Sequence, residues 1–396
     1  MKICVVIPSF YPAVGFGGPI VSSLSTCIEL SKIPRLELNV NTTNFNVGKS
    51  KLDVLLNKWI KFENNFYVKY YRVFFKGFSP SLYLKIWSEI RSSDVVHIQG
   101  IFNSPTPIAL AVSALFARPM ILSPRGVLGD WCLEHGSKLK KLWLHIFIKP
   151  FALHVTWHAT DVMEKEEILA LYPEAKVEVI SNGVYVEDFG LSQALTKQEY
   201  IEKFANSRKG NVGKIIVSMG RLSAKKGFDI LIMAFEKVLL KYSDSFLLIA
   251  GPDETEREYL IDIISALKLE ERVFLIGALE QQDKIDFLAN ADVFALPSHN
   301  ENFGNVYVES LASGTPIVAS HGTPWQAVES YHCGRWVSND VDNTANGIVE
   351  VLGYDRSLMR DNSRKLAKNF DWHIIASKFN TLFEKKYLDS STRTES

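Results

Sequence analysis

Residues 215–250 read IIVSMGRLSAKKGFDILIMAFEKVLLKYSDSFLLIA, and the fold turns on how this stretch is parsed. The apolar run IIVSM meets a Gly-Arg turn. Beyond it, Leu231, Phe235, Val238 and Leu239 recur at the spacing of one helix face, and FLLIA forms a second apolar run without polar alternation. Unalternated runs of this length suit strands covered on both faces, and two of them joined by a helix make a right-handed βαβ unit. VFLI at 273–276, VFAL at 293–296 and PIVA at 316–319 repeat the pattern downstream, with helical segments between them. Upstream, ICVVI at 3–7, VVHI at 95–98, MIL at 120–122, VTWHA at 155–159 and VEVI at 177–180 do the same. The expected fold is α/β, with two Rossmann-like lobes of parallel sheet joined near residues 184–212, and the expected site is the cleft they face across, beyond the carboxyl ends of the strands.

Composition agrees with this class. The chain has 396 residues, 47% of them apolar and 22% charged, with mean hydropathy +0.02, which excludes disordered, collagen-like and polytopic membrane classes. Cys4, Cys27, Cys132 and Cys333 lie far apart and show neither zinc spacing nor disulfide density, as expected of a protein of the reducing cytosol. The start, MKICVVIPSF, is too short an apolar run for a signal segment, and later runs fall well below the ~20 residues of a spanning helix. Net charge is zero but unevenly spread. Residues 1–150 carry 18 basic against 8 acidic side chains, a net +10, and the remainder 26 against 36, a net −10. That asymmetry suits a front half facing something anionic, and it also suits plain solubility.

Three segments carry candidate chemistry. The first strand runs into PSFYPAVGFGGP, placing Gly15, Gly17 and Gly18 in a loop where backbone N–H groups can approach a phosphate; the spacing is not that of a nicotinamide fingerprint. In GRLSAKKG, Arg221 follows a strand directly and Lys226 stands at a helix opening, so two cations converge where a diphosphate would lie. In PSHNENFGNVYVESLASG, Glu301 lies in a loop, Phe303, Gly304 and Asn305 open a helix, and Glu309 lies two turns inside it. Carboxylates at those positions can accept hydrogen bonds from sugar hydroxyls, and free helix N–H groups can hold phosphate or sugar oxygens. Read singly, each of these residues is also an ordinary surface acid, base or turn glycine.

Taken together, the glycine loop, VVHIQG, SPRGVLGDW, HAT at 158–160, ISNGV, GRLSAKKG, LIAGPDE, RVFLIG and ENFGNVYVE resemble the retaining glycosyltransferases of family 4, with the GT-B fold, of the bacterial cell-surface polysaccharide type. The E-x7-E string through Glu301 and Glu309 is the most specific element. The resemblance implies transfer of a hexose from a UDP- or GDP-sugar to a hydroxyl of a growing, lipid-linked surface glycan, with no metal or other cofactor. It implies that Arg221 and Lys226 neutralise the donor diphosphate with help from the amides of Gly17 and Gly18. Glu309 would take the ribose hydroxyls, Glu301 the donor sugar, and the amides of Phe303, Gly304 and Asn305 the sugar and phosphate oxygens. The loop from Gly277 to Leu279 would line the base. It further implies an acceptor-side lobe over residues 1–185, a nucleotide-sugar lobe over 186–371, and a return of helix 372–390 to the first lobe; periodicity alone reads that helix as the last of the second lobe.

One departure stands out. Many relatives carry a His where this chain has Ser123, Pro124 and Arg125. Arginine stays protonated and cannot act as a base, but it can bind developing negative charge. His97, at the end of a strand, is a second candidate for the site and equally a hydrogen-bonded structural residue. Finally, residues 49–91 combine Lys49, Lys51, Lys58, Lys61, Lys69, Arg72, Lys76, Lys85 and Arg91 with eleven aromatics, and Lys138, Lys140, Lys141 and Trp143 form a second cluster. Cations beside amphipathic rings suit an anionic membrane surface, and the resemblance, to a family many of whose bacterial members act on lipid-diphosphate-linked glycans at the cytoplasmic face, implies a cytoplasmic protein peripheral on the inner face of the plasma membrane. At least half of those aromatics are expected in the core, and no nucleic-acid-binding motif accompanies them. The competing readings are a sugar-nucleotide epimerase, a phosphorylase, and a non-catalytic glycan- or membrane-binding module. Phosphorylases of this architecture are much longer. The E-x7-E string disfavours the epimerase, and the presence of Arg221, Lys226 and both glutamates disfavours the binding module.

Overall fold

The structure, a computed structural model, describes residues 1–75, 77–129, 132–133, 139–207 and 211–394, with the side chains of 49 and 391–394 outside that description. Of the basic residues named above, Lys76, Lys138 and the side chain of Lys49 therefore lie outside the described residues. The chain separates into two compact units, Met1–Gly183 with Trp372–Ser396 as unit 1 and Val184–Asp371 as unit 2.

Unit 1 holds strands β1 (Lys2–Ser9), β2 (Glu37–Thr43), β3 (Trp59–Glu63), β4 (Phe66–Tyr71), β5 (Val95–Gln99), β6 (Met120–Ser123), β7 (Thr156–Ala159) and β8 (Lys176–Val179). They form one sheet in the order β3-β4-β2-β1-β5-β6-β7-β8. All neighbours are parallel except the β3–β4 hairpin at one edge, so the expected all-parallel sheet gains an antiparallel rim. Cys4 of β1 lies opposite Asn39 on one side and Val96 on the other. Val6, Ile98, Leu122 and Trp157 on the strands pack with Leu82, Ile86 and Leu110 of the helices Pro80–Arg91 and Pro105–Leu115. Burial of each such side chain contributes ~1.5–3 kcal/mol, enough to hold the sheet under its helices.

The aromatic-basic stretch divides by burial. Phe66, Tyr70 and Tyr71 are buried, Phe62, Tyr67 and Tyr83 half-buried, and Trp59, Phe74, Phe75, Phe78 and Trp87 exposed. Fewer of these rings are fully in the core than expected: alternation along β3 and β4 turns one face of the hairpin inward, Phe74, Phe75 and Phe78 lie beyond β4, and Trp87 stands on the outer face of the helix Pro80–Arg91.

Unit 2 holds β9 (Ile215–Met219), β10 (Phe246–Ala250), β11 (Val273–Gly277), β12 (Val293–Leu296), β13 (Ile317–Ser320) and β14 (Gly334–Val337). Its sheet is parallel throughout, in the order β11-β10-β9-β12-β13-β14. The helix Phe228–Leu239 buries Leu231, Phe235 and Val238 on the face that their spacing defines. The polar stretch before β9 is structured too. The helix Lys197–Ala205 starts on a capping box of Thr196 and Glu199 and buries Tyr200, whose hydroxyl donates to Phe287 O at 2.9 Å. Since β9 is flanked by β10 and β12, the chain leaves it in opposite directions on its two sides, and the carboxyl ends of β9 and β12 mark the switch point where open sheets bind ligands.

Candidate functional site

In unit 2 three glycines finish neighbouring strands at one level. Gly220 N donates to Ala250 O at 2.9 Å and Gly251 N donates to Gly277 O at 2.7 Å. Gly251 has φ +152°, and a Cβ there would overlap the Gly220 carbonyl, so the backbones meet only because no side chain intervenes. Above this seam lies a concavity of about 450 Å³ lined by Gly251, Pro252, Asp253, Arg257, Gly277 and Ala278 among others. Gly277 lines this concavity, whereas Leu279 packs partly buried against the core.

The loop after β9 is sewn to the loop after β12. Gly227, at φ +66°, lies where a Cβ would overlap the Pro297 carbonyl, and His299 N donates to Lys225 O at 2.9 Å. This brings Lys226 and Glu301, 75 residues apart, into an ion pair in which both side chains are largely buried. Ser298 Oγ donates to the same Glu301 oxygen at 3.1 Å, and Glu301 N donates to Gly322 O at 2.8 Å.

Gly304, at φ +72°, caps the helix Asn305–Ala312. Phe303 before it is core. Its ring lies 5.2 Å from Trp325 and its carbonyl accepts from Trp325 Nε1 at 2.7 Å, so both ring and carbonyl are engaged in the core. Glu309 pairs with Lys284 Nζ at 2.8 Å, and Arg221 pairs with Glu254 at 2.8 Å. Arg221 is the more exposed of the two cations, at 56% against 16% for Lys226. The structure therefore joins Lys226 to Glu301 directly and gives Arg221 and Glu309 partners that sequence reasoning missed. Glu254 had a signal, since it lies in LIAGPDE beside a strand end; Lys284, on an ordinary amphipathic helix, had none.

In unit 1 Gly17, at φ +80°, caps the helix Gly18–Ser31. A Cβ on Gly17 would meet nothing within 4 Å, so its backbone angle and not its surroundings calls for glycine. Pro19 removes one of the first-turn donors, leaving fewer amides at this helix start than the glycine run suggests.

Arg125 and Gly126 follow β6 with φ of +67° and +71°. That turn is clamped by Glu164 on the helix Val162–Leu171, whose carboxylate accepts the Gly126 N–H at 2.7 Å, the Thr160 N–H at 2.7 Å and the Thr160 hydroxyl at 3.0 Å. The Arg125 guanidinium donates to Gln99 Oε1 at 2.8 Å, Asn182 Oδ1 at 3.3 Å and Ser23 Oγ at 3.5 Å. It lines a concavity of about 400 Å³ whose walls include Phe16, Ile20, Phe45, Phe102 and Val127.

His97 does not line that concavity. It is buried under Phe379 and Phe383 of the helix Trp372–Thr394, in a chain running from His97 Nε2 to Ser123 Oγ at 2.8 Å and on to His158 Nδ1 at 2.7 Å. His158 Nε2 donates to Ile180 O at 2.8 Å, which fixes every proton in the chain, because a carbonyl can only accept. Burial lowers both histidines, His158 to about 3, so each is a neutral structural residue at physiological pH and the site reading of His97 is corrected.

Known proteins resemble the chain at two levels. The Anabaena protein HepE, crystallised in complex with UDP, superposes with a TM-score of 0.75 at 18% identity, covering 97% of this chain and 100% of its own. An uncharacterized glycosyltransferase of Methanocaldococcus jannaschii, MJ1607, is 31% identical over 219 residues, 54% of this chain and 55% of the relative. The GDP-mannose:cellobiosyl-diphosphopolyprenol alpha-mannosyltransferase of Xanthomonas campestris is 26% identical over 73% of each chain. The chain spans about half the length of several of the curated relatives it matches. Residues 199–369, most of unit 2, match the family model of the glycosyl transferases group 1, and the chain as a whole has the GT-B fold of two Rossmann-like lobes.

Proposed function

We propose that the protein is a retaining glycosyltransferase that moves a hexose from a UDP- or GDP-sugar to a hydroxyl of a growing, lipid-linked surface glycan. The observation that carries this reading is the pairing of Lys226 with Glu301 at the switch point of unit 2, beside the start of the helix Asn305–Ala312. A cation, a carboxylate and helix N–H groups converge there, and a nucleotide diphosphate sugar offers the complement of each. Lys226 and Arg221 take the diphosphate and stabilise the charge that grows on it as the glycosidic bond breaks. Glu301 orients the donor sugar through its hydroxyls, the amides of Phe303 to Asn305 hold sugar and phosphate oxygens, and Glu309 takes the ribose. The concavity at Gly251 and Gly277 receives the base. Arg125 binds negative charge on the acceptor side, and the departing phosphate accepts the proton of the attacking hydroxyl. The UDP seen with HepE and the mannosyl donor in the name of the Xanthomonas relative support a nucleotide-sugar donor.

The test is a thermal-shift screen of UDP- and GDP-sugars. A donor at 100 times its Kd stabilises the native state by ~2.7 kcal/mol, and Glu309→Ala should abolish the shift at the same concentration. In kinetics, Glu309→Ala raises KM with little change in kcat, because the ribose does not react; Glu301→Ala lowers kcat as well, because the sugar ring changes charge and shape. No shift with any nucleotide sugar, or an unchanged donor affinity in Glu309→Ala, would overturn these roles.

The acceptor's lipid places the enzyme at a membrane surface. No helix among the described residues is long and apolar enough to cross a membrane. Unit 1 nevertheless exposes Phe74, Phe75, Phe78, Trp87, Leu142 and Ile146, on the same stretches of sequence as Lys85, Arg91, Lys140 and Lys141. Each cation near an anionic surface contributes ~1 kcal/mol, so the protein should co-sediment with anionic liposomes at low salt and be released at high salt. Equal binding to anionic and neutral liposomes, or to neither, would favour a freely soluble acceptor.

A further inference from the structure

The unit 1 concavity has an unusual makeup: aromatic and aliphatic walls with one guanidinium, Arg125, among them. Among the described residues the guanidinium's three hydrogen bonds go to neutral oxygens, those of Gln99, Asn182 and Ser23. Its Nε is buried and has no partner among the described residues. The nearby Glu164 carboxylate is spent on the Gly126 and Thr160 N–H groups and the Thr160 hydroxyl, holding the left-handed turn from which Arg125 projects. Among the described residues the hydrogen-bond shell of this cation holds only neutral oxygens, and the Glu164 carboxylate acts on its charge only through space, so the guanidinium keeps donor capacity for an anion that reaches it.

We propose that this concavity is a recognition site for an anionic oxygen group on an otherwise apolar-faced acceptor, a phosphate ester held by Arg125 with its organic part against Phe16, Phe45 and Phe102. The proposal rests on the glycosyltransferase reading for the word acceptor and deepens it, making Arg125 the residue that selects a charged acceptor over a neutral one. Gln99 and Ser23 are positioning residues. Ser23 Oγ donates to Gln99 Oε1 at 2.7 Å, and that oxygen in turn accepts from the guanidinium. The phosphate could belong to a lipid-linked glycan or to a free sugar phosphate; both offer the same group to Arg125 and differ in what meets the walls.

Binding to the full chain, held in saturating UDP to occupy phosphate sites of unit 2, tests this without any turnover. The probes are benzyl phosphate, benzyl alcohol and glucose 1-phosphate, followed by ligand-observed NMR. Benzyl phosphate should bind about tenfold or more tightly than benzyl alcohol, the margin of a charge-assisted contact. Arg125→Gln should erase that margin and Arg125→Lys should retain part of it. Glucose 1-phosphate binding as well as benzyl phosphate assigns the site to a free sugar phosphate, and weaker binding assigns it to a lipid-linked one. Equal affinity for benzyl phosphate and benzyl alcohol in the wild type overturns the proposal even if Arg125→Gln fails to fold. So does a preference that survives in Arg125→Gln. A failed donor screen with an intact benzyl phosphate preference would instead remove the transferase reading and leave an anion-binding concavity.

Discussion

Lys226→Ala is expected to lower kcat/KM for nucleotide-sugar transfer by ~2–4 kcal/mol, about thirty- to a thousandfold, while the protein keeps its fold. The side chain is largely buried and pairs with Glu301, so its charge works in a surround of lower dielectric than water, where an uncompensated phosphate costs most. Arg221→Ala should fall in the same range or somewhat below it, because its guanidinium is 56% exposed and is steadied by Glu254 from the neighbouring loop. Steady-state kinetics with matched melting curves separates loss of function from loss of fold. Near wild-type kcat/KM in both variants would remove the diphosphate from this end of the sheet.

The second large effect concerns stability and needs no ligand. Gly251→Ala should destabilise the protein by about 3 kcal/mol, because a methyl group there overlaps the carbonyl of Gly220 and the two strand ends must part. Gly277→Ala is the matched control. It also has a positive φ, +80°, but a Cβ there meets nothing within 4 Å, so only the ~1–2 kcal/mol of left-handed strain applies. Urea midpoints at constant m-value measure both. Equal midpoints would show that the seam between β9 and β10 yields to a methyl group.

The parts of this molecule legible in its sequence are those where one local rule decides. Both sheets show through their unalternated apolar runs, and the helix after β9 shows through its four-residue spacing. β2 does not, because it reads ELNVNTT, and no propensity calls for a strand that buries Asn39, Asn41, Thr42 and Thr43. Two of those polar groups find partners elsewhere in the chain, Tyr71 OH donating to Asn41 Oδ1 at 3.1 Å and Thr43 Oγ1 donating to Pro8 O at 2.7 Å, whereas the buried Thr42 hydroxyl has none among the described residues. The candidate site divides in the same way. Lys226, Glu301 and Gly304 sit on turns whose chemistry is local. The engagement of Glu309 by Lys284, of Arg221 by Glu254 and of His97 by Ser123 joins residues brought together only by the fold. His97 shows the cost of reading position without depth: a strand end looks like a site until Phe379 and Phe383, from a segment far downstream, close over it.

That downstream segment also bears on how the protein is made. A ribosome delivers Val184–Asp371 as one uninterrupted stretch, so unit 2 has all its strands and helices in hand while translation continues. Unit 1 begins first yet waits for the helix from Trp372 onward, whose Phe379 and Phe383 seal the face of its sheet around His97 and whose His373 meets Glu29 at 2.9 Å. The nascent chain therefore carries an uncovered sheet face throughout synthesis of unit 2, and early termination near residue 371 would release a protein with one finished unit and one still unsealed.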